Sequence, residues 1–292
     1  MVNQEISKLS KQPRVINIGN EKGGVGKTSL TRLLPAALAN LFGFKSLIVD
    51  MDPQANTTKS LYVTRNIYHE DEVTVFENTL MNGIAKGDLS DLILNVMPNV
   101  DFIPSAYDLK SFPTFLSKKF GLVDESDPDY FQVKEQQYAY FKQLIDDIKS
   151  GYDFVFFDTP PTSSDITEAV SYSSDYILIA FQTQSDSLDG ARNFLEQTLI
   201  PLSENFNTQF EIIGILPNQM TKGSIESATL NDAHELFGSE NVFENIVPFT
   251  KAIQNIPRNG VTLQGYWNSK MFNESINPIA EELINRIIIV EE

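Results

Sequence analysis

The chain contains no cysteine. Disulfides, cysteine-bound zinc, iron–sulfur clusters and thiol nucleophiles are excluded together, and the composition fits a reducing compartment. Histidine is nearly as scarce: His69 and His234 are the only two, far apart in sequence, which removes a histidine-based metal centre. Positive charge is also in short supply. Against 39 Asp and Glu stand 22 Lys and Arg, a formal net charge of −17. Such a chain repels phosphodiester backbones on average, so contact with nucleic acid requires a local basic patch. No apolar run approaches the ~20 residues that span a bilayer. The first segment, MVNQEISKLSKQPRV, lacks the apolar centre of a signal peptide. These absences together predict a cytoplasmic protein.

What is present is ample core material, with 41% hydrophobic residues in 292. Val15–Gly19, Ser46–Val49, Val100–Pro104, Phe154–Phe157, Tyr176–Phe181 and Ile212–Leu216 are short and almost continuously apolar. Strands covered on both faces read this way. Helical patterns separate them. Over residues 28–42, Leu30, Leu33, Leu34, Ala37, Leu38 and Leu41 form one apolar stripe, and Pro35 inside it should remove a backbone hydrogen bond. Residues 135–149, 188–204, 225–237 and 273–289 carry similar patterns. The alternation predicts a doubly wound α/β fold, a mostly parallel sheet flanked by helices. A single domain over residues 1–292 is expected, with a flexible arm at 1–13 and an irregular insertion at 105–134.

Between the first strand and the first helix lies Asn20-Glu21-Lys22-Gly23-Gly24-Val25-Gly26-Lys27-Thr28-Ser29. Three glycines in four positions let the backbone approach a large anion with no Cβ in the way. The helix start supplies unpaired N–H groups and the positive end of a dipole. Lys27 can neutralise β/γ-phosphate charge, and the Thr28 hydroxyl is placed to hold Mg²⁺. A bare glycine turn would be the bland alternative, but the string K-G-G-x-G-K-T arises by chance in such a chain at about 10⁻⁴. Gly23 through Ser29 are therefore the expected phosphate contacts. An ATPase also needs a carboxylate near Mg²⁺ and a group to position water. Two acidic clusters, Asp50-Met51-Asp52-Pro53-Gln54-Ala55-Asn56 and Asp158-Thr159-Pro160-Pro161, leave the carboxyl ends of apolar runs. In an open α/β sheet those ends share one crevice. No N-K-x-D guanine motif occurs, which favours ATP over GTP.

The loop departs from the ordinary P-loop in having Glu21 where a glycine is usual and Lys22 before the glycine pair. In this it resembles the deviant Walker A motif of the ParA/MinD family of P-loop ATPases. The resemblance, running from about Val15 to Tyr266, implies that Lys22 reaches across an ATP-sandwiched homodimer while Lys27 acts in its own subunit. D-x-D-P-Q-A-N resembles the family's switch I, which makes Asp52 the residue orienting the hydrolytic water. D-T-P-P resembles its Walker B and switch II, which makes Asp158, with Thr28, the holder of Mg²⁺. Asp50 is left a capping or supporting role. By position the resemblance also implies that Asn218 and Pro248 contact adenine.

Within that family, iron-protein relatives need cysteines and membrane-positioning MinD-type relatives end in a basic amphipathic helix. The last residues here, Ile276 to Glu292, carry one basic and four acidic side chains, which anionic lipid repels. The Ile287–Val290 run is expected to pack in the core. About 13 residues precede the first strand, too few for a helix-turn-helix domain. The resemblance thus implies a small plasmid or chromosome partition ATPase, nucleoid-associated, that binds DNA nonspecifically as an ATP dimer. Its stimulating partner would be a centromere-binding ParB-type protein with a basic N-terminal segment. Lys251, Arg258 and Lys270 are the expected DNA contacts. The alternatives are a MinD-like membrane-associated division regulator and a small-molecule ligase sharing the loop.

Overall fold

The short apolar runs form strands because each feeds two cores at once. The computed structural model describes residues 9, 11–70, 78–162, 164–183, 185–221 and 224–292, so the arm expected at 1–13 falls largely outside it. The strands are β1 (Arg14–Gly19), β2 (Ser46–Asp50), β3 (Leu94–Met97), β4 (Val100–Ile103), β5 (Phe154–Asp158), β6 (Tyr176–Gln182) and β7 (Glu211–Asn218). They make one sheet in the order β3-β4-β2-β5-β1-β6-β7. Every pair is parallel except β3 with β4. The doubly wound, mostly parallel sheet is thus as expected. The edge strand β3 is the one that apolarity does not reveal: it is four residues long, and its Leu94–Asn95 half is exposed to solvent in part.

Between the strands lie α1 (Lys27–Phe42), α2 (Asn56–Tyr68), α3 (Leu80–Lys86), α4 (Phe112–Phe120), α5 (Tyr130–Lys149), α6 (Asp165–Tyr172), α7 (Ser185–Asn193), α8 (Ile200–Asn205), α9 (Ser224–Phe237), α10 (Lys251–Asn259), α11 (Tyr266–Met271) and α12 (Asn277–Glu291). Wider turns, Phe194–Leu199 and Phe272–Ile276, join α7 to α8 and lead into α12. Alternate residues of each strand go to opposite faces. Ile16, Ile18, Ile48, Phe102, Phe154 and Phe156 pack under α1 and α12. Val15, Leu47, Val49, Ile103, Val155 and Phe157 pack under α3 to α6. Period-two alternation with apolar residues on both faces is what makes these runs continuous.

Three expectations are refined. Helix α1 runs unbroken through Pro35, which is buried in it. The stretch 105–134 holds a tight turn at Tyr107–Ser111, α4 and the start of α5, with Phe112 and Leu116 fully buried and Phe112 edge-on to Phe141. The Ile287–Val290 run is corrected. Ile287 and Ile288 are buried, but Ile289 is 72% exposed and Val290 43%. Successive residues on a helix turn by about 100°, so four in a row cannot share its buried face.

Candidate functional site

Strand order brings the sequence-predicted residues together. Because β5 lies between β1 and β2, the loop after β1 and the acids ending β5 and β2 are lateral neighbours. Asp50 and Asp158 occupy the same register position, and the Met51 N–H donates to the Asp158 carbonyl at 2.8 Å. The chain direction reverses its order of travel here, the place where open α/β sheets bind ligands.

The glycine loop closes onto α1 through left-handed backbone at Gly24 (φ 82°) and Gly26 (φ 90°). A Cβ at Gly26 would stand 2.0 Å from Asn218 Nδ2, whereas one at Gly24 would meet nothing within 4 Å. The loop is therefore braced from beneath and open above. Its braces are polar. Asn218 Nδ2 donates to the Val25 carbonyl at 2.7 Å and Gln219 Nε2 to Gly24 at 2.9 Å. Asn20 Nδ2 donates to the Ala180 carbonyl at 2.8 Å, while its Oδ1 accepts the Lys22 amide at 2.6 Å. Asn218 ends β7 rather than following it, and it is buried against the loop. Pro248 bridges to Met220 beside it.

Lys27 and Lys22 differ sharply. Lys27 is buried, and its Nζ donates to the carbonyls of Asn20 at 2.7 Å and Lys22 at 3.3 Å. Burial pushes the ammonium down to about 8, against the opposing pull of Asp158 and Asp52. Lys22 leaves 47% of its side chain in solvent, 3.5 Å from a still more exposed Asp186 carboxylate. A pair that open contributes little and releases readily.

The carboxylates are held by hydroxyls and amides. Asp158 is fully buried, with Oδ1 accepting from Thr28 Oγ1 at 3.1 Å and Oδ2 from Thr57 Oγ1 at 2.7 Å. Burial raises its pKa, and the hydrogen bonds and Arg32 oppose that rise. Asp50 accepts the amide and hydroxyl of Thr58 at 2.8 and 2.7 Å, satisfying an N–H in the first turn of α2. Its pKa is raised by burial and then by the neighbouring Asp158 charge. Asp52, at the bend into α2, accepts the Gln54 amide at 2.8 Å. Thr28 with Asp158 thus offers a hydroxyl and a buried carboxylate 3.1 Å apart, a hard oxygen pair suited to Mg²⁺ supplemented by water and phosphate. Among the described residues no cluster of three or more His, Asp or Glu forms a closed metal cage.

Sequence reasoning passed over Arg32, Thr57 and Thr58, which support the carboxylates, and Asn20 and Gln219, which brace the loop. Arg32 had a signal: it is the one charged side chain in α1 between Leu30 and Leu38, a segment buried throughout. Lys251, Arg258 and Lys270 are all exposed. Lys251 and Arg258, seven residues apart, fall on one face of α10. Lys251 and Lys270 line a cleft of about 610 Å³ together with Pro248 and Trp267. Among the described residues no helix is long and apolar enough to cross a membrane.

Against known proteins, a family model described as AAA domain matches residues 13–212. The chain is 28% identical to the chromosome-partitioning ATPase Soj of Treponema pallidum over 91% of its own length and 95% of that protein's. The fold is similar to that of the Cyanothece McdA–ATP complex, with a TM-score of 0.73 and 18% identity over 94% of this chain and 96% of that one. A putative plasmid partition protein of Borrelia burgdorferi B31 bound to AMPPNP gives a TM-score of 0.69 and 19% identity over 96% and 100%.

Proposed function

The chain belongs to the AAA domain family, and from that premise we propose that it is a ParA-type partition ATPase. It binds ATP with Mg²⁺ and hydrolyses the nucleotide at the crevice above β1, β5 and β2. The observation that carries this reading is the convergence of the braced glycine loop, buried Lys27 and the Thr28–Asp158 pair at adjacent strand ends. The loop N–H groups and the start of α1 cradle phosphate oxygens. Lys27, drawn inward, sets its ammonium against the β/γ-phosphates. Thr28 and Asp158 hold Mg²⁺, which when bound neutralises charge on the phosphate oxygens. Asp52, at the mouth of the site, orients the attacking water. Asn218 and Pro248 flank the loop on the side assigned to adenine.

Lys22 completes the partner's site in an ATP-sandwiched homodimer. Its outward position supports this, since a lysine paired with an exposed carboxylate can leave it and cross an interface. The dimer brings two copies of the Lys251, Arg258 and Lys270 surface onto one rigid body that grips DNA nonspecifically. A ParB-type centromere-binding partner with a basic segment suits a chain of net charge −17. The protein acts in the cytoplasm on the nucleoid, as one ATPase domain. Sedimentation velocity with a nonhydrolysable ATP analogue tests the assembly. Wild type should form dimers, and Lys22→Ala should bind nucleotide as a monomer but lose the dimer and its hydrolysis. A Lys22→Ala protein that dimerises and hydrolyses like wild type would refute the role across the interface.

A further inference from the structure

The buried guanidinium of Arg32 has no role so far beyond its charge beside Asp158. It sits on α1 five residues past Lys27, only 4% exposed, one turn beyond Thr28 and on the side of the helix away from Leu30 and Leu34, in a segment buried throughout. Its Nε donates to Thr57 Oγ1 at 3.2 Å, and its buried Nη1 has no hydrogen-bond partner among the described residues. Thr57 is fully buried, and the same oxygen donates to Asp158 Oδ2 at 2.7 Å. A buried charge with an unsatisfied N–H destabilises a fold, and an apolar side chain of similar volume would serve packing better. Packing alone therefore does not explain this arginine.

The hydrogen-bond inventory does. A threonine hydroxyl has one proton and can turn it in several directions, whereas a guanidinium only donates. With Arg32 Nε occupying an acceptor position on Thr57, the single Thr57 proton is committed to Asp158. Each Asp158 oxygen then receives one hydroxyl, Thr57 on one side and Thr28 on the other. The carboxylate is clamped in rotation, and its remaining lone pairs have a fixed direction. Arg32 also supplies positive charge to a cluster in which Asp50, Asp52 and Asp158 outnumber Lys27 and Arg32.

We propose that Arg32 and Thr57 form a relay that orients Asp158 for the divalent cation, making both of them positioning residues for the metal site. The inference rests on the reading that Asp158 and Thr28 hold Mg²⁺. It requires that loss of either relay member weaken the cation more than the nucleotide, since their side-chain hydrogen bonds run to each other and to Asp158. Removing a group that orients a metal-holding side chain typically costs 10- to 100-fold in metal affinity.

The test measures nucleotide affinity as a function of Mg²⁺ concentration, with EDTA as the metal-free limit, in wild type, Arg32→Met, Thr57→Val, the double variant and Asp158→Asn. The expected result is an Mg²⁺ half-saturation raised about tenfold or more in each single relay variant. Affinity in EDTA should stay at the wild-type value. The double variant should be no worse than the poorer single one, because the two act in series. Arg32→Lys should recover part of the loss. Arg32→Met removes countercharge from the buried Asp50 and Asp158 and should melt below wild type, so affinities are read well below its melting temperature. The unchanged affinity in EDTA is what separates the relay from a packing role. Should Arg32→Met not fold, Thr57→Val, which keeps the side-chain shape, decides alone. Wild-type Mg²⁺ dependence in Thr57→Val, with Asp158→Asn impaired, would overturn the relay while leaving Asp158 as metal holder. Wild-type Mg²⁺ dependence in Asp158→Asn would overturn the metal reading and the relay with it.

Discussion

Lys22 and Lys27 stand five residues apart in one loop and occupy opposite environments, one half in solvent and the other enclosed. The difference has a pH signature. In the folded chain burial brings Lys27 down from 10.5 to about 8. Phosphate favours the charged ammonium, so binding above that pH must draw a proton from solvent. ATP affinity should hold level between about pH 7 and 8, then weaken by up to about tenfold per unit as pH rises further. Isothermal titration in buffers of differing ionisation heat checks this through the proton uptake; affinity that is flat to pH 9.5 would contradict it. Lys27→Ala should abolish binding. Asp52→Ala, by contrast, should bind ATP and dimerise but hydrolyse it poorly, because water positioning is lost while phosphate contacts remain. Equal loss of nucleotide affinity in the two variants would remove the water-orienting role from Asp52. At this scale the sequence made legible that Gly23 to Thr28, Asp52 and Asp158 would meet at one crevice, because chemistry restricts which residue types suit a phosphate and cation site. Arg32 stands out in sequence as a lone charge in an apolar stretch, but its role and that of Thr57 were illegible, because they depend on one threonine oxygen lying between two elements 25 residues apart.

The elements follow from burial more than from propensity. Strands β1, β2, β5 and β6 read clearly because both faces are covered, while β3, half exposed at an antiparallel edge, carries too short a pattern to be seen. Short helices such as α3, α6 and α11 were missed for a related reason: fewer than three turns give the helical period little room to repeat. In α12 an unbroken apolar run conceals a rotating face. Ile284 is fully buried beneath the sheet and Ile289 is 72% exposed. Ile284→Ala should therefore destabilise the protein by about 2–5 kcal/mol through lost burial and a cavity. Ile289→Lys should fall within about 0.5 kcal/mol of wild type. Urea unfolding of the two variants measures both. Equal destabilisation would mean that Ile289 is covered in solution.

For the whole molecule the governing quantity is charge. A monomer at −17 should bind duplex DNA negligibly at physiological salt. The proposed ATP dimer would present the exposed Lys251 and Arg258 face of α10 twice, and two weak half-sites on one rigid body would reinforce each other. The mostly parallel sheet and a crevice at its strands' carboxyl ends were readable from the alternation of runs and helices, whereas the strand order was not. The basic surface was readable only as isolated residues, since the cleft shared by Lys251 and Lys270 is made by α10 and α11 meeting far from the sequence motifs. The central claim, a nucleotide-gated partition ATPase, is tested most directly by retention of the wild-type protein on long nonspecific DNA with ATP and Mg²⁺ against ADP and Mg²⁺. The account predicts retention with ATP only, lost in Lys251→Glu or Arg258→Glu without loss of the dimer, and a log K against log salt slope of roughly −2 to −5. Equal retention in the two nucleotide states, or none in either at low salt, would contradict it.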